Sequence, residues 1–216
     1  VADPADEIVV VHRPGAAQTE LRIARLSTTR LTADYHALVV LNLALGGQFV
    51  SRINSKLREE KGYTYGARTG FDLRKGQGLF ICQTAVEREA TADALNDIFT
   101  ELAASSGDRP IAGDELERAK TSLARGYARG LETIDQIARQ AAQIALYGLP
   151  DDHVDRFVPH VRALTPADMH AAASRWIWPA RYVTVAVGDA DRIEAPIRAL
   201  GLAPVRRVED LETILR

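Results

Sequence analysis

The side chains of this sequence that could carry chemistry on their own are few, and its histidines come first. There are five: His12, His36, His153, His160 and His170. None belongs to an H-E-x-x-H or an inverted H-x-x-E-H arrangement, in which two histidines hold zinc and a glutamate activates water. The closest pair, His153 and His160, is seven residues apart with no carboxylate at a suitable offset. The spacing favours solvated or lightly packed histidines over metal ligands, and we predict no zinc site in this chain.

Other kinds of chemical site leave no signature either. There is no G-x-S-x-G nucleophile elbow, and neither Gly46-Gly47 nor the pair Gly76 and Gly78 matches a phosphate-binding or dinucleotide-binding loop. A single cysteine, Cys82, excludes an internal disulfide and a thiolate zinc cluster, and its apolar neighbours predict a packed core thiol. By its own residues, the chain is not a complete enzyme of any of these classes.

Composition narrows the function further. Hydrophobic residues make up 46% and charged residues 26%, with a net charge of -2, which is typical of a soluble domain and does not favour nucleic-acid binding. No uninterrupted apolar run approaches the roughly 18 residues of a membrane span, so we expect no membrane-spanning segment. No linker-like stretch divides the chain, which predicts one domain over residues 1–216. Because the sequence opens at Val1 and its one methionine is Met169, we expect a fragment or a processed half of a larger protein. The sequence predicts no particular cellular compartment.

The first part of the chain predicts strands followed by helices. A β-branched run at residues 8–12 and alternating apolar residues at 20–25 predict two strands paired across a short connection. A buried helix is predicted from residue 34 to Gly46-Gly47, and a short helix over residues 51–60. Alternation over residues 63–73, a turn at 75–78 and an apolar run at 79–86 predict a central hairpin that starts with a long strand.

The second half of the chain is rich in helical patterns. Thr165-Pro166 suits a helix cap and first turn, and a β-branched run at residues 182–187 predicts a late strand. The predicted helices cover residues 91–104, 113–131, 134–147, 152–163, 165–176 and 192–200, with an edge strand at 204–208. This order favours an α+β fold, a mixed and mostly antiparallel sheet with helices packed on one face.

One stretch is unusual, LGGQFVSRINSKLREEKGYTYG at residues 45–66. It resembles, without gaps, a segment of the pitrilysin/insulinase metallopeptidase family that runs approximately L-G-G-x-x-S-R-L-x-x-x-L-R-E-x-x-G-x-x-Y. Segments at residues 76–86, 114–120, 165–168 and 185–189 are similar to the same family in the same order. The resemblance spans nearly the whole chain and implies a domain like those of the mitochondrial processing peptidase.

In that family two similar domains face each other like a clamshell, and one carries the inverted zinc motif that this chain lacks. The resemblance implies that this chain is the other domain, a substrate-binding half that is inactive alone, has no cofactor of its own and is paired with a zinc-binding catalytic domain or subunit. It also implies that an extended peptide is the substrate. The family's R-x(6)-Y pair, which binds the scissile peptide backbone and supports the tetrahedral intermediate, corresponds here to Arg58 and Tyr65.

Alternatives remain at each of these positions. Arg58 could be a solvated helix end, and Tyr65 shares strand parity with Tyr63 and Ala67, as a core tyrosine would. Tyr63 is the competing hydroxyl. Gly46-Gly47 could end a helix or let the backbone approach bound peptide. For the whole chain, the alternative is a catalytically silent structural or assembly module of the same fold, and a stand-alone peptide-binding protein ranks last.

Overall fold

The computed structural model describes residues 5–179 and 181–209, and it is organised around one mixed sheet of six strands. The strands follow each other across the sheet in the order β3-β4-β2-β5-β1-β6. Their bounds are β1 Glu7–His12, β2 Gln18–Leu26, β3 Ala67–Asp72, β4 Leu79–Glu87, β5 Val183–Gly188 and β6 Val205–Val208.

The pairing pattern is mostly antiparallel, as predicted. β3 with β4, β4 with β2, and β2 with β5 are antiparallel, whereas β1 runs parallel to both β5 and β6. The predicted pairing of the first two strands is wrong, because β5 lies between β1 and β2. Val10 is opposite Ala186, and Leu21 is opposite the same residue from the other side. A late β-branched strand buried in the middle of the sheet therefore takes the place of the local hairpin.

Helices cover one face of the sheet, which confirms the predicted α+β class. They are α1 Tyr35–Asn42, α2 Arg52–Asn54, α3 Thr91–Ser106, α4 Gly113–Arg129, α5 Ile134–Tyr147, α6 His153–Ala163, α7 Pro166–Trp176 and α8 Ala190–Ala199. α7 begins with the predicted cap, in which Asp168 N–H donates to Thr165 Oγ1. Cys82 is fully buried in the main core, which confirms the expected packed core thiol, and burial raises the pKa of this thiol to about 12.

Between α1 and β3 the chain forms two π-helical segments, Leu43–Gly47 after α1 and Ser55–Glu60 after α2. The first ends where Gln48 turns extended, so the predicted stop at Gly46-Gly47 is confirmed. By length and composition, Tyr35–Glu60 could cross a membrane, with a mean hydropathy of 1.2 in its most apolar window. Half of that window is buried inside the protein, and core helices of soluble proteins meet the same criterion.

Candidate functional site

The path from Arg58 to Tyr65 is a helix end, a reversal and a tight turn. Gly62 has a φ of 68°, which only glycine adopts without strain, and it reverses the chain after the π-helical segment. Tyr63 N–H then donates to Leu57 O at 2.9 Å, so the chain folds back along the helix it has just left. The reversal at Gly62 therefore returns the chain toward the helical segment that carries Arg58.

The strand predicted from residue 63 begins only at Ala67, so the first four positions of that prediction are wrong. The reason is a local turn, in which Gly66 N–H donates to Thr64 Oγ1 at 3.0 Å and the same hydroxyl donates to Gly66 O at 3.1 Å. Such bonds from a threonine side chain compete with the strand ladder for the backbone. Residues 63–66 therefore do not share the alternation of β3.

This turn separates the two tyrosines that the sequence left as competitors. Tyr63 is half-buried and packs against the main core, whereas Tyr65 is 93% exposed. The parity argument for a core tyrosine at position 65 therefore fails. Among the described residues the Tyr65 hydroxyl has no hydrogen-bond partner, so its proton is free to be donated to a ligand.

Arg58 lies in the last turn of the second π-helical segment and is partly exposed. Its Nη1 donates to Glu59 Oε1 at 2.7 Å, and its Cζ stands 4.0 Å from the ring centroid of Phe49. The stacking on Phe49 fixes the plane of the guanidinium, because a cation is attracted to the face of an aromatic ring. The remaining N–H groups of Arg58 have no hydrogen-bond partner within the described part of the chain.

Tyr65 and Phe49 line the same cavity, and Arg58 stacks on Phe49, so both predicted site residues lie near this cavity. The cavity has a volume of about 370 Å³ and is lined by Gly47, Gln48, Phe49, Asn54, Tyr65, Gly66, Ala67 and Arg68. It lies beside β3, which is an edge strand of the sheet. No hydrogen bond joins Arg58 to Tyr65 among the described residues. Arg58 instead reaches the cavity through the ring of Phe49.

Asn54 holds the two borders of this cavity together, although it is only 3% exposed. Its Nδ2 donates to Phe49 O at 2.6 Å, and its Oδ1 accepts from Ala67 N–H at 2.9 Å. A buried amide with both ends bonded to backbone fixes the distance between the segments it joins. Asn54 therefore sets the width of the cavity at the start of β3.

Sequence reasoning missed Phe49, Asn54 and Arg68. Arg68 lines the cavity beside Tyr65 and has no ion-pair partner in the part of the chain that the structure describes. The signal for Phe49 was an aromatic residue directly after Gly46-Gly47, where an exposed ring is unusual. Asn54 lies within the stretch at residues 45–66 and Arg68 just after it, and neither had a further signal, because their roles depend on how the chain folds back there.

One group of histidines was not foreseen from the sequence. His36 lies between His160 and His153, with ring centroids 4.7 and 6.5 Å away, and burial together with these neighbours and Arg30 lowers the pKa of His36 to about 4. From the sequence, only His153 and His160 were weighed as a possible pair. Among the described residues, these three histidines do not form a group whose ligand atoms lie close enough together to hold a metal ion.

His12, Asp189 and Asp191 bring their ligand atoms within 4.8 Å of one another where β1 and β5 end. These atoms already have partners from the protein. His12 Nδ1 accepts from Ala190 N–H at 3.1 Å, and Asp191 Oδ1 lies 2.8 Å from Arg207 Nη1. Asp189 Oδ2 accepts from Gly15 N–H at 3.2 Å. Through these contacts the cluster links the end of β1 to the start of α8 and to Arg207 of β6.

A helix-backed mixed sheet, a cavity at its edge and the missing zinc motif fit the class that the sequence resemblance implied, the zinc-less domain of a metallopeptidase. The chain belongs to the peptidase M16 family: its residues 1–123 match the model described as the peptidase M16 inactive domain.

Individual relatives agree with this assignment. The chain is 30% identical over 115 residues to an uncharacterized zinc protease of Mycobacterium leprae, covering 53% of this chain and 24% of that protein. It is 26% identical over 165 residues to an uncharacterized zinc protease of Streptomyces coelicolor, covering 76% of this chain and 33% of that protein. The chain thus spans a third or less of these two relatives.

Among solved structures, the chain is similar to a peptidase M16 inactive domain from Pseudomonas fluorescens, with a TM-score of 0.80 and 28% identity. The match covers 87% of this chain and 44% of that one. A chain of Complex III2 from Candida albicans shares the fold alone, with a TM-score of 0.70 and 12% identity, covering 90% of this chain and 49% of that one.

Proposed function

We propose that this chain is the substrate-binding half of a zinc metalloendopeptidase, in which Arg58 and Tyr65 hold the scissile peptide opposite a zinc-binding domain or subunit. The observation that carries the proposal is the position of Tyr65. A phenol that is almost fully exposed, beside a cavity at a sheet edge, has no packing role and is available to a ligand. Zinc in the partner would supply the activated water.

The chemistry asked of the two side chains is charge stabilisation. When water adds to the peptide carbonyl, its oxygen becomes an oxyanion, and the tetrahedral intermediate collapses when the amide nitrogen takes a proton and leaves. Tyr65 would donate its O–H to this oxygen or to the adjacent backbone, and Arg58 would donate an unused N–H. Both groups act best when held in place beforehand, as Phe49 does for Arg58.

An extended peptide also finds a binding edge here. β3 pairs on one side with β4, and its other edge carries the cavity. The N–H of Ala67 is already bonded to Asn54 Oδ1, and Thr69 N lies against Gly46, so the exposed backbone before them, at Tyr65, is the part of this edge that could pair with substrate. Such pairing is tolerant of sequence, as expected of an endopeptidase.

The test is turnover of the assembled enzyme. Removing one donor to an oxyanion lowers kcat by about 100-fold or more, so we expect Arg58→Ala and Tyr65→Phe each to lose activity on that order. Zinc content, measured by atomic emission, should stay that of the unchanged protein, because neither residue binds metal.

Matched controls are the neighbours that the structure separates from the cavity. Tyr63→Phe removes a hydroxyl two residues away, and Lys61→Ala removes an exposed cation beside Arg58. Both should retain kcat within about twofold. If Arg58→Ala and Tyr65→Phe also keep wild-type turnover, the proposed roles are wrong, and the alternative of a catalytically silent assembly module is favoured instead.

A further inference from the structure

A second, larger cavity lies along α4 and presents a row of arginines. Arg118, Ser122, Arg125 and Arg129 recur at intervals of four, three and four residues, so they share one face of the helix, and all four are exposed. The cavity has a volume of about 700 Å³. It is lined by Gln48, Val50, Asp114, Glu117, Arg118, Thr121, Ser122, Arg125 and Arg129.

These three arginines differ from the other cations nearby. Arg52 Nη2 binds Glu115 Oε2 at 2.5 Å, and Lys120 Nζ binds Glu117 Oε1 at 3.0 Å. By contrast, Arg118, Arg125 and Arg129 form no salt bridge or hydrogen bond through their side chains within residues 5–179 and 181–209. Each therefore keeps a planar set of N–H donors that matches the two oxygens of a carboxylate.

The α4 cavity continues into the Tyr65 cavity. Gln48 lines both, and Phe49 and Val50, which follow it, are each 63% exposed. A chain that lies beside β3 at Tyr65 would therefore cross the apolar side chains of Phe49 and Val50 before it reaches the arginine row.

We infer that the arginine row on α4 is a subsite for acidic side chains of the peptide substrate, at some distance from the bond that is cleaved. This inference rests on the proposed function and adds the chemical class of substrate, a peptide with Asp or Glu on one side of its scissile bond. Arg125 is central, because it lines this cavity and a neighbouring one of about 720 Å³ that also contains Arg162.

A peptide fits this surface better than a nucleic acid does. Asp114 and Glu117 lie in the same cavity and would repel a uniformly charged phosphate backbone, whereas a peptide can place neutral or basic residues opposite them. The exposed apolar side chains of Phe49 and Val50 could likewise pack against apolar side chains of a peptide. The net charge of -2 gives no general attraction for polyanions.

The experiment compares two fluorescent peptides by anisotropy, one with three glutamates and the same sequence with glutamines. We expect the glutamate peptide to bind the chain about tenfold more tightly at low salt, and this preference to fall below about twofold in the double variant Arg118→Gln/Arg125→Gln. The control variant Arg139→Gln/Arg198→Gln removes the same charge from exposed, ion-paired arginines of α5 and α8 and should keep the preference.

Equal binding of both peptides to the unchanged protein would overturn the subsite. So would a single-stranded oligonucleotide that binds as tightly as the glutamate peptide and is lost in the same double variant, because the row would then be a general anion surface. The readout is separate from catalysis: if Arg58→Ala and Tyr65→Phe keep full turnover while the glutamate preference persists, the proposed catalytic roles fail and the subsite stands.

Discussion

At the scale of single residues, His36 shows how packing can set a protonation state. Its ring on α1 lies against His160 and His153 of α6, and its Nε2 is buried without a hydrogen-bond partner. Arg30 Nη2 donates to His153 Nε2 at 3.3 Å, which requires His153 to be neutral. Each neighbour disfavours a proton on His36, so the contact between α1 and α6 depends on uncharged imidazoles.

This arrangement predicts a pH dependence of stability. The pKa of His36 is about 4 in the folded chain and 6.5 in the unfolded chain. Between these two pH values the unfolded chain therefore binds more protons than the folded one. Stability is therefore full above pH 6.5 and falls as the pH drops toward 4. Because the ring is only half-buried, we expect a loss of about 1–2 kcal/mol between pH 7.5 and pH 5, measured by urea unfolding.

The matched variants are His36→Gln, which removes the titrating group, and His170→Gln, which changes an exposed histidine on α7. The first should clearly weaken the dependence between pH 7.5 and 5, leaving a smaller part from His153, whose pKa is also lowered by burial and by Arg30, and the second should leave the dependence as it was. An equally steep loss in His36→Gln would show that other groups cause it.

At the scale of elements, the first π-helical segment and β3 fit together through a glycine. A Cβ on Gly46 would lie 2.6 Å from the Thr69 side chain and 2.8 Å from Thr69 N. Gly47 is similarly close to Asn42, whose Oδ1 accepts from Thr69 Oγ1 at 2.8 Å. Of the two interpretations of Gly46-Gly47, the helix end is confirmed, and the close approach that requires Gly46 is to β3.

Gly46→Ala should therefore push β3 away from the helix and destabilise the chain by about 1–3 kcal/mol, as overpacking of a core does. Gly126→Ala is the control. Gly126 lies inside α4 with open space around it, so alanine should stabilise by about 0.5–1 kcal/mol through its helix propensity. Both values come from denaturant midpoints. A Gly46→Ala protein as stable as the unchanged one would contradict the packing described here.

The helices and strands also show how much of the fold can be predicted from the sequence. Periodicity located the helices and most strands, because each buries one face against the same core. It misplaced the start of β3, where Thr64 bonds to Gly66, and it paired β1 with β2, since the insertion of β5 depends on residues 159 to 176 positions away in the chain. For the site, spacing selected Arg58 and Tyr65, but exposure alone separated Tyr65 from Tyr63, and the bridge by Asn54 exists only in the folded chain.

At the scale of the whole molecule, residues 5–179 and 181–209 form a layer of helices on one sheet, with a cavity at the β3 edge and the arginine row along α4. The Mycobacterium leprae and Streptomyces coelicolor zinc proteases it matches are three to four times longer than the matched part, and in the proposed function the zinc-binding half of the cleft lies in another domain or subunit. Half a cleft can hold a peptide and orient its carbonyl. Hydrolysis requires the activated water, which we assign to the partner.

The most direct measurement is peptide hydrolysis by this chain alone, by its zinc-binding partner half alone, and by the two together, with zinc content determined for each. We predict no hydrolysis and no stoichiometric zinc for this chain, weak or no hydrolysis for the partner half, and a gain of about 100-fold or more when they are combined. Hydrolysis by this chain alone, or a partner half that is equally active without it, would contradict the proposed substrate-binding role.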